Sequence, residues 1–336
     1  MYTTDFEKLK KQLNFKPDPT RPVSKQASEN TVRLFDYLKS IYGKKHLAGQ
    51  QYLQSEEVED LVYYHLTGKL PAVRGYDFMG VSSCKKTDDQ VDRAIKWATQ
   101  CGGIVTMCWH WYAPNDMNDY SKGSSFYYKT TGYDHKTCFD LCKGVTEGTA
   151  EYEFIIREID MVSAELKRMA QLDIPVLWRP LHEANGNWFW WGNHDEQHRE
   201  AYKKLWYMIF DRMENYHKLT NLIWVWNSQV PECYPGDDVV DIISRDMYPP
   251  EHEHTSQSDM YYNLCEITSA KKITIIGETG TLPSPEAVVS EKVGWSSYMT
   301  WSKPFCLTEK FNTHEQLKKV YNSEYVVTKD KLPVLY

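Results

Sequence analysis

The chain has 336 residues, 41% hydrophobic and 25% charged, a balance that suits a globular protein with a large core. With 39 basic against 46 acidic side chains, its net charge of −7 offers no basic surface for nucleic acid or an anionic membrane. Aromatic residues make up 14%, including 12 Trp and 24 Tyr. Beyond a core, such an excess suits carbohydrate, because the apolar face of a pyranose packs on indole and phenol rings.

Length alone allows two domains, yet α/β barrels of this size are commonly single. Residues 1–26 are polar, with Pro17, Pro19 and Pro22, and read as an extended strap packed on one domain that spans 27–336. The N-terminus has no apolar h-region of a signal peptide, and no apolar run is long enough to span a bilayer. The expectation is therefore a cytosolic protein, or a secreted, periplasmic or cell-surface one if the chain is a trimmed mature form. The eight cysteines (84, 101, 108, 138, 142, 233, 265 and 306) form no CxxC pair, so buried free thiols are expected. Cys138 and Cys142, four apart, also suit a helical turn or a local disulfide.

In chain order, 30–42 carries Leu34, Phe35, Leu38 and Ile41 at helical spacing and stops at Gly43. A short strand at 46–51 (HLAGQQ) ends in polar groups. A second, 72–79, has Asp77 near its end. Thr87 and Gln90 read as a capping box for a helix with Val91, Ala94, Ile95 and Ala98 on one face, ending at Gly102-Gly103. A third strand, 104–111 (IVTMCWHW), closes on His and Trp. The polar, Tyr-rich stretch 112–148 after it is long enough for a functional loop. Residues 149–172 form a long amphipathic helix.

The fourth strand opens the most informative stretch, 176–192 (VLWRPLHEANGNWFWWG), which runs into His182, Glu183 and a dense aromatic set. A helix follows at 198–217. Strands five to seven are read at 221–227, 240–247 and 273–277, with Glu278 directly after the last. An eighth is placed at 294–301, and a final helix at 313–321 with Thr313 and Gln316 as a capping box. Eight strand-like segments, mostly separated by helical patterns, predict an α/β fold, a single (β/α)8 TIM barrel. An open doubly wound sheet is disfavoured because no GxGxxG or Walker sequence is present.

A barrel gathers functional residues at the C-terminal ends of its strands. It would point Glu183 and Glu278 into one mouth. Cleaving a glycosidic bond takes one carboxylic acid to protonate the leaving oxygen and a second carboxylate at the anomeric carbon. Glu183, beside Trp188–Trp191, suits the acid/base, because partial desolvation raises a carboxyl pKa. Glu278, between Gly277 and Gly280, can approach a sugar closely as the nucleophile.

WRPLHE followed by ANGNWFWWG, the later ETG, the WHW of strand three, the WVWN of strand five and the closing YNSEYVVTKDKLP together resemble glycoside hydrolase family 26. The resemblance runs from about His46 to the C-terminus. It implies a retaining β-glycosidase of the endo-β-1,4-mannanase kind, acting on mannan, galactomannan or mannooligosaccharides. It also implies Glu183 as acid/base, Glu278 as nucleophile, and His182 and His110 as contacts to the −1 sugar. By the same resemblance Trp188 flanks the acid/base, Tyr248 bonds the nucleophile, and Trp301 lies under the −1 sugar. Arg179 and Asp246 are supporting residues; Gln50, Asp77 and Trp226 are weaker candidates at other strand ends.

Alternatives stay open at this point. The same fold could act on β-1,3-xylan or mixed-linkage β-glucan, or bind glycan without cleaving it. His110 and His182 could be core histidines, and Trp109, Trp178, Trp190, Trp224 and Trp295 read as packing, since strand residues alternate inward and outward. Glu251–His254 (EHEH) has metal-ligand residue types but reads as a solvated charge run. No HExxH spacing is present. Neither a cofactor nor a metal is expected, and the chain is expected to be monomeric.

Overall fold

Near-continuous apolar runs mark strands buried on both faces, and parallel strands with helical crossovers bury both. In the computed structural model, which describes residues 21–53, 57–86, 89–269 and 271–336, eight such strands close into a barrel. They are β1 (His46–Gln51), β2 (Val73–Asp77), β3 (Ile104–Cys108), β4 (Val176–Arg179), β5 (Leu222–Asn227), β6 (Ile242–Met247), β7 (Ile273–Thr279) and β8 (Ser297–Thr300). Each pairs in parallel with its sequence neighbour, and β8 returns to β1 through Leu47↔Ser297 to Gln50↔Thr300.

Alternation sorts the strand side chains into two cores. Inward-facing Leu47, Val73, Ile104, Leu177, Ile223, Ile242 and Ile273 share one cluster with Leu34, Phe35 and Leu38. Those last three belong to α1 (Glu29–Ile41), whose apolar face closes the N-terminal end of the barrel. α1 starts where Ser28 Oγ accepts the Thr31 N–H, and Thr31 Oγ1 donates to Thr220 O ahead of β5. Outward-facing Val105, Trp178, Leu222, Trp224 and Ile276 join the larger cluster with the helices. These helices are α2 (Val58–Thr67), α3 (Gln90–Cys101), α4 (Ala150–Gln171), α5 (Glu196–Asp211), α6 (Ser258–Ile267), α7 (Pro285–Ser290) and α8 (His314–Asn322).

The shell is uneven. Between β5 and β6 the connection holds only the single 3-10 turn Pro231–Cys233 where a helix would stand. α2, α6 and α7 carry no start signal that sequence reading picked up. Glu57 before α2 and Gln257 before α6 sit in the left-handed region with no side-chain cap. α5 ends earlier than its periodicity suggests: after Asp211 the chain winds into a π-turn, Arg212–Tyr216. Thr87 lies outside the described residues, as do residues 1–20 of the strap. At 21–26, the Val23 N–H donates to Asp241 Oδ1 and Ser24 Oγ to Glu214 Oε2. All eight cysteines are free thiols, with Cys138 exposed. Among the described residues, no helix is long and apolar enough to cross a membrane.

Candidate active site

The inward positions change character at the C-terminal strand ends, where apolar residues give way to Asp77, Cys108, Arg179, Asn227, Ser244, Asp246 and Glu278. Register brings these groups level. Asp77 pairs with Cys108, and Cys108 with Arg179. Between β6 and β7 the pairing jumps from Arg245↔Ile276 to Asp246↔Glu278, so Gly277 is the extra residue of a bulge. A bulge re-aims the next side chain, and here that side chain is Glu278. Glycine is required at 277, since a Cβ there would lie 2.4 Å from Asp246 Oδ1 and 2.6 Å from Asn227 Nδ2.

Glu183 is aimed by a different device. Leu181 (φ +51) and Glu183 (φ +55) both take the left-handed conformation just beyond β4. That conformation costs an L-residue roughly 1–2 kcal/mol, so the surroundings must hold it. Asn227 Oδ1 does so by accepting the Glu183 N–H at 2.7 Å. The same amide donates through Nδ2 to Asp246 Oδ1 and Ser244 Oγ, which ties the ends of β5 and β6 to Glu183.

Three carboxylates converge, with one oxygen each from Glu183, Asp246 and Glu278 within 4.8 Å of the others. Arg179 lies between two of them, donating at 2.7 Å to Asp246 Oδ2 and at 2.5 Å to Glu278 Oε1. Tyr248 OH donates to the other Glu278 oxygen at 2.7 Å. Glu278 is thus an acceptor of two donors, the environment of a carboxylate. Among the described residues Glu183 accepts a single side-chain bond, from Trp188 Nε1. Burial and the facing Glu278 raise its pKa to about 7. Burial also raises Asp246, but Arg179 and Asn227 donate to both of its oxygens, and such bonds favour the ionised form. The proton that the three cannot all shed therefore resides on Glu183.

The fourth sector is a hydrogen-bonded line, Asp77 to His110 to His182. His110 Nδ1 lies 2.5 Å from Asp77 Oδ2, and its Nε2 lies 3.2 Å from His182 Nε2. His110 lines the cavity, whereas His182 is fully buried behind it, its carbonyl accepting Trp191 Nε1–H.

A cavity of 740 Å³ opens over these groups. Trp188, Tyr248 and Trp301 line it beside Glu183, Glu278 and His110. Tyr127 and Tyr133 from the long loop after β3 line it as well, their rings stacked 3.9 Å apart. The structure thus gathers eight of the nine residues singled out by sequence on one mouth, with His182 reaching it through His110. Gln50 bonds Tyr63 and the Gln51 carbonyl instead, and Trp226 is buried on the outer face. Trp109, Trp178, Trp190, Trp224 and Trp295 are all buried. In the EHEH stretch Glu251 pairs with Lys310, and His254 Nδ1 is 2.8 Å from the Leu282 carbonyl, so its groups are spent on separate partners. Sequence reading overlooked Asn227, Tyr127, Tyr133 and Phe305. Asn227 had a signal, as the polar residue closing an apolar strand; Tyr127 and Tyr133 are on a loop, and Phe305, which also lines the cavity, ends the 3-10 turn Lys303–Phe305.

Comparison with known proteins follows the same lines. The sequence profile of glycosyl hydrolase family 26 matches residues 23–331. The chain is 37% identical to a mannan endo-1,4-beta-mannosidase of Thermothelomyces thermophilus, over 93% of this chain and 63% of that protein. It is 36% identical to mannan endo-1,4-beta-mannosidase A of a Piromyces species, over 98% of this chain and 53% of that one. The chain therefore spans about half to three fifths of the length of these relatives. The solved structure of a beta-mannanase from a symbiotic protist of the termite Reticulitermes speratus, in complex with gluco-manno-oligosaccharide, superposes with a TM-score of 0.85. Its identity is 31%, over 94% of this chain and 98% of that one.

Proposed function

The chain belongs to glycosyl hydrolase family 26, and from that premise we propose that it is a retaining glycosidase that cleaves β-1,4-mannosidic bonds. The observation that carries this reading is the Glu183–Glu278 pair, with oxygens within 4.8 Å of each other. Retaining enzymes hold their carboxyl groups about 5–5.5 Å apart, while inverting ones need roughly 6.5–9.5 Å to admit a water.

In the first half of the reaction, Glu183 donates its proton to the leaving oxygen as Glu278 attacks the anomeric carbon. Glu278 then forms a covalent glycosyl-enzyme bond and the glycosidic bond breaks. In the second half, Glu183 is a carboxylate and removes a proton from water, which displaces Glu278. Arg179 and Tyr248 donate to the two Glu278 oxygens and aim its free lone pairs. Trp188 fixes Glu183 by its indole N–H. Trp301, across from His110 at a ring separation of 6.1 Å, supplies an apolar floor for the sugar being cleaved. Arg179 and Asp246 act as supports.

β-Mannan and mannooligosaccharides are the substrates that the relatives' activities favour. A polymeric substrate favours a site of action outside the cytoplasm, whereas imported mannooligosaccharides would not require one. Reducing-sugar release from mannan, β-1,3-xylan and mixed-linkage β-glucan tests the assignment. Cleavage of mannan, abolished in Glu183→Ala and Glu278→Ala, is expected. Wild-type activity in either variant, or binding of glycan without cleavage, would overturn it.

A further inference from the structure

Both ring nitrogens of His110 are engaged, which constrains where its protons sit. Asp77 Oδ1 accepts the backbone N–H groups of Met79 at 2.9 Å and His110 at 3.0 Å, leaving Oδ2 for the His110 ring. Burial disfavours a charge on Asp77, but His110 and the N–H donors outweigh it and hold the carboxyl below its ordinary range. An ionised carboxylate can only accept, so His110 Nδ1 carries a hydrogen.

The 3.2 Å contact between the two Nε2 atoms requires one further hydrogen between them. If that hydrogen is on His110, the ring is an imidazolium and His182 is neutral, protonated at Nδ1. If it is on His182, both rings are neutral and His182 Nδ1 is a bare lone pair. His182 Nδ1 is buried with no hydrogen-bond partner among the described residues, so neither arrangement gains a bond there. The surrounding charges decide. Facing His110 are Asp77 from β2, in contact with Nδ1, and Glu183 after β4 and Glu278 from β7, which line the same cavity as the ring, with the neutral Cys108 thiol beside Asp77. Burial opposes a charge on His110, but the Asp77 carboxylate in contact with Nδ1, helped by Glu278, outweighs it and raises the ring above its ordinary range. Burial, His110 and Arg179 together keep His182 uncharged.

We propose that Asp77 is a positioning residue, and that the His110 ring, clamped between Asp77 and His182, stands as a fixed cation beside Glu183 and Glu278. His182 is then the buried acceptor that seats this cation. For its effect on Glu183 the inference rests on the glycosidase reading above. Glu183 must part with its proton in one half-reaction and stay ionised into the next. A fixed positive charge close by favours that ionised state against the pull of Glu278. Without it, Glu183 would hold its proton more tightly.

Two measurements test this. In ¹⁵N spectra of the histidine rings of the unliganded wild-type protein, His110 should carry hydrogen on both nitrogens at about pH 6. In Asp77→Asn, that imidazolium signature should be lost, and the alkaline limb of the kcat/KM–pH profile should move up by roughly half a unit or more. Asp77→Glu should restore part of the limb. A neutral His110 ring in the wild-type protein at that pH would overturn the inference. So would an Asp77→Asn enzyme slowed equally at every pH with an unmoved limb. The wild-type spectrum needs neither a variant nor activity, so it decides even if Asp77→Asn does not fold. A neutral ring would leave the glycosidase assignment standing, whereas a protein inert on every β-glycan would remove that assignment and leave the spectrum intact.

Discussion

At the scale of single residues, the two glutamates differ because their partners differ. Glu278 receives Arg179 and Tyr248, while Glu183 receives only the Trp188 indole among the described side chains. Glu183→Gln keeps the Trp188 bond but has no proton to donate. Its kcat/KM on mannan should fall about 10²–10⁴-fold, and its kcat/KM far less on an aryl mannoside, whose acidic phenol leaves without protonation; the base step of the second half lies outside kcat/KM. Equal losses on both substrates would contradict the acid role. Burial and the facing Glu278 raise the Glu183 pKa to about 7, so the proposed acid role predicts that kcat/KM declines above roughly neutral pH. The same raised pKa has a stability consequence. Between the ordinary carboxyl range and pH 7 the unfolded chain has lost this proton while the folded one keeps it, so folding stability falls as pH rises through that window. Glu183→Gln removes the penalty. It should melt higher than wild type at pH 8, by on the order of 1 kcal/mol, with no difference near pH 4. A scan showing the reverse order at pH 8 would refute this.

At the scale of elements, the site depends on backbone devices more than on side-chain choice. The β7 bulge at Gly277 turns Glu278 to Arg179, and Asn227 supports the left-handed turn at Glu183. Gly277→Ala should therefore cost about 1–3 kcal/mol by denaturant unfolding and also lower kcat, since Asp246 and Asn227 must move to admit the methyl group. Full activity in that variant would show that the bulge is not needed. Elements were legible where local chemistry marked them. Helices α1, α4 and α8 begin at Ser28, Thr149 and Thr313, each accepting a backbone N–H. At Thr313 the box shows its Thr half, the Gln316 N–H donating to Thr313 Oγ1 at 3.1 Å. α2 and α6, entered from left-handed residues without a side-chain cap, gave no such mark. Glu183, Glu278, His110 and the tryptophans were legible because they follow apolar strands directly. Asn227's triple role was not, because it depends on register between β5 and β6. Tyr127 and Tyr133 reach the cavity through the fold of a long loop that no periodicity describes.

At the scale of the whole molecule, the barrel separates stability from chemistry. α1 closes the N-terminal end with Leu34, Phe35 and Leu38, at the opposite end of the strands from Glu183 and Glu278. Phe35→Ala should cost about 3–5 kcal/mol of stability while kcat/KM at 25 °C stays near wild type; a matching loss of kcat/KM would show that the plug and the site are coupled. The closed barrel fixes the strand ends as one rigid rim, and on that rim the carboxylate separation decides the stereochemistry. The most direct test of the central claim is therefore the configuration of the first product, followed by ¹H NMR on mannooligosaccharides before mutarotation. Double displacement through Glu278 predicts that the β-anomer appears first and the α-anomer grows in later. An α-anomer at the earliest time points would contradict it.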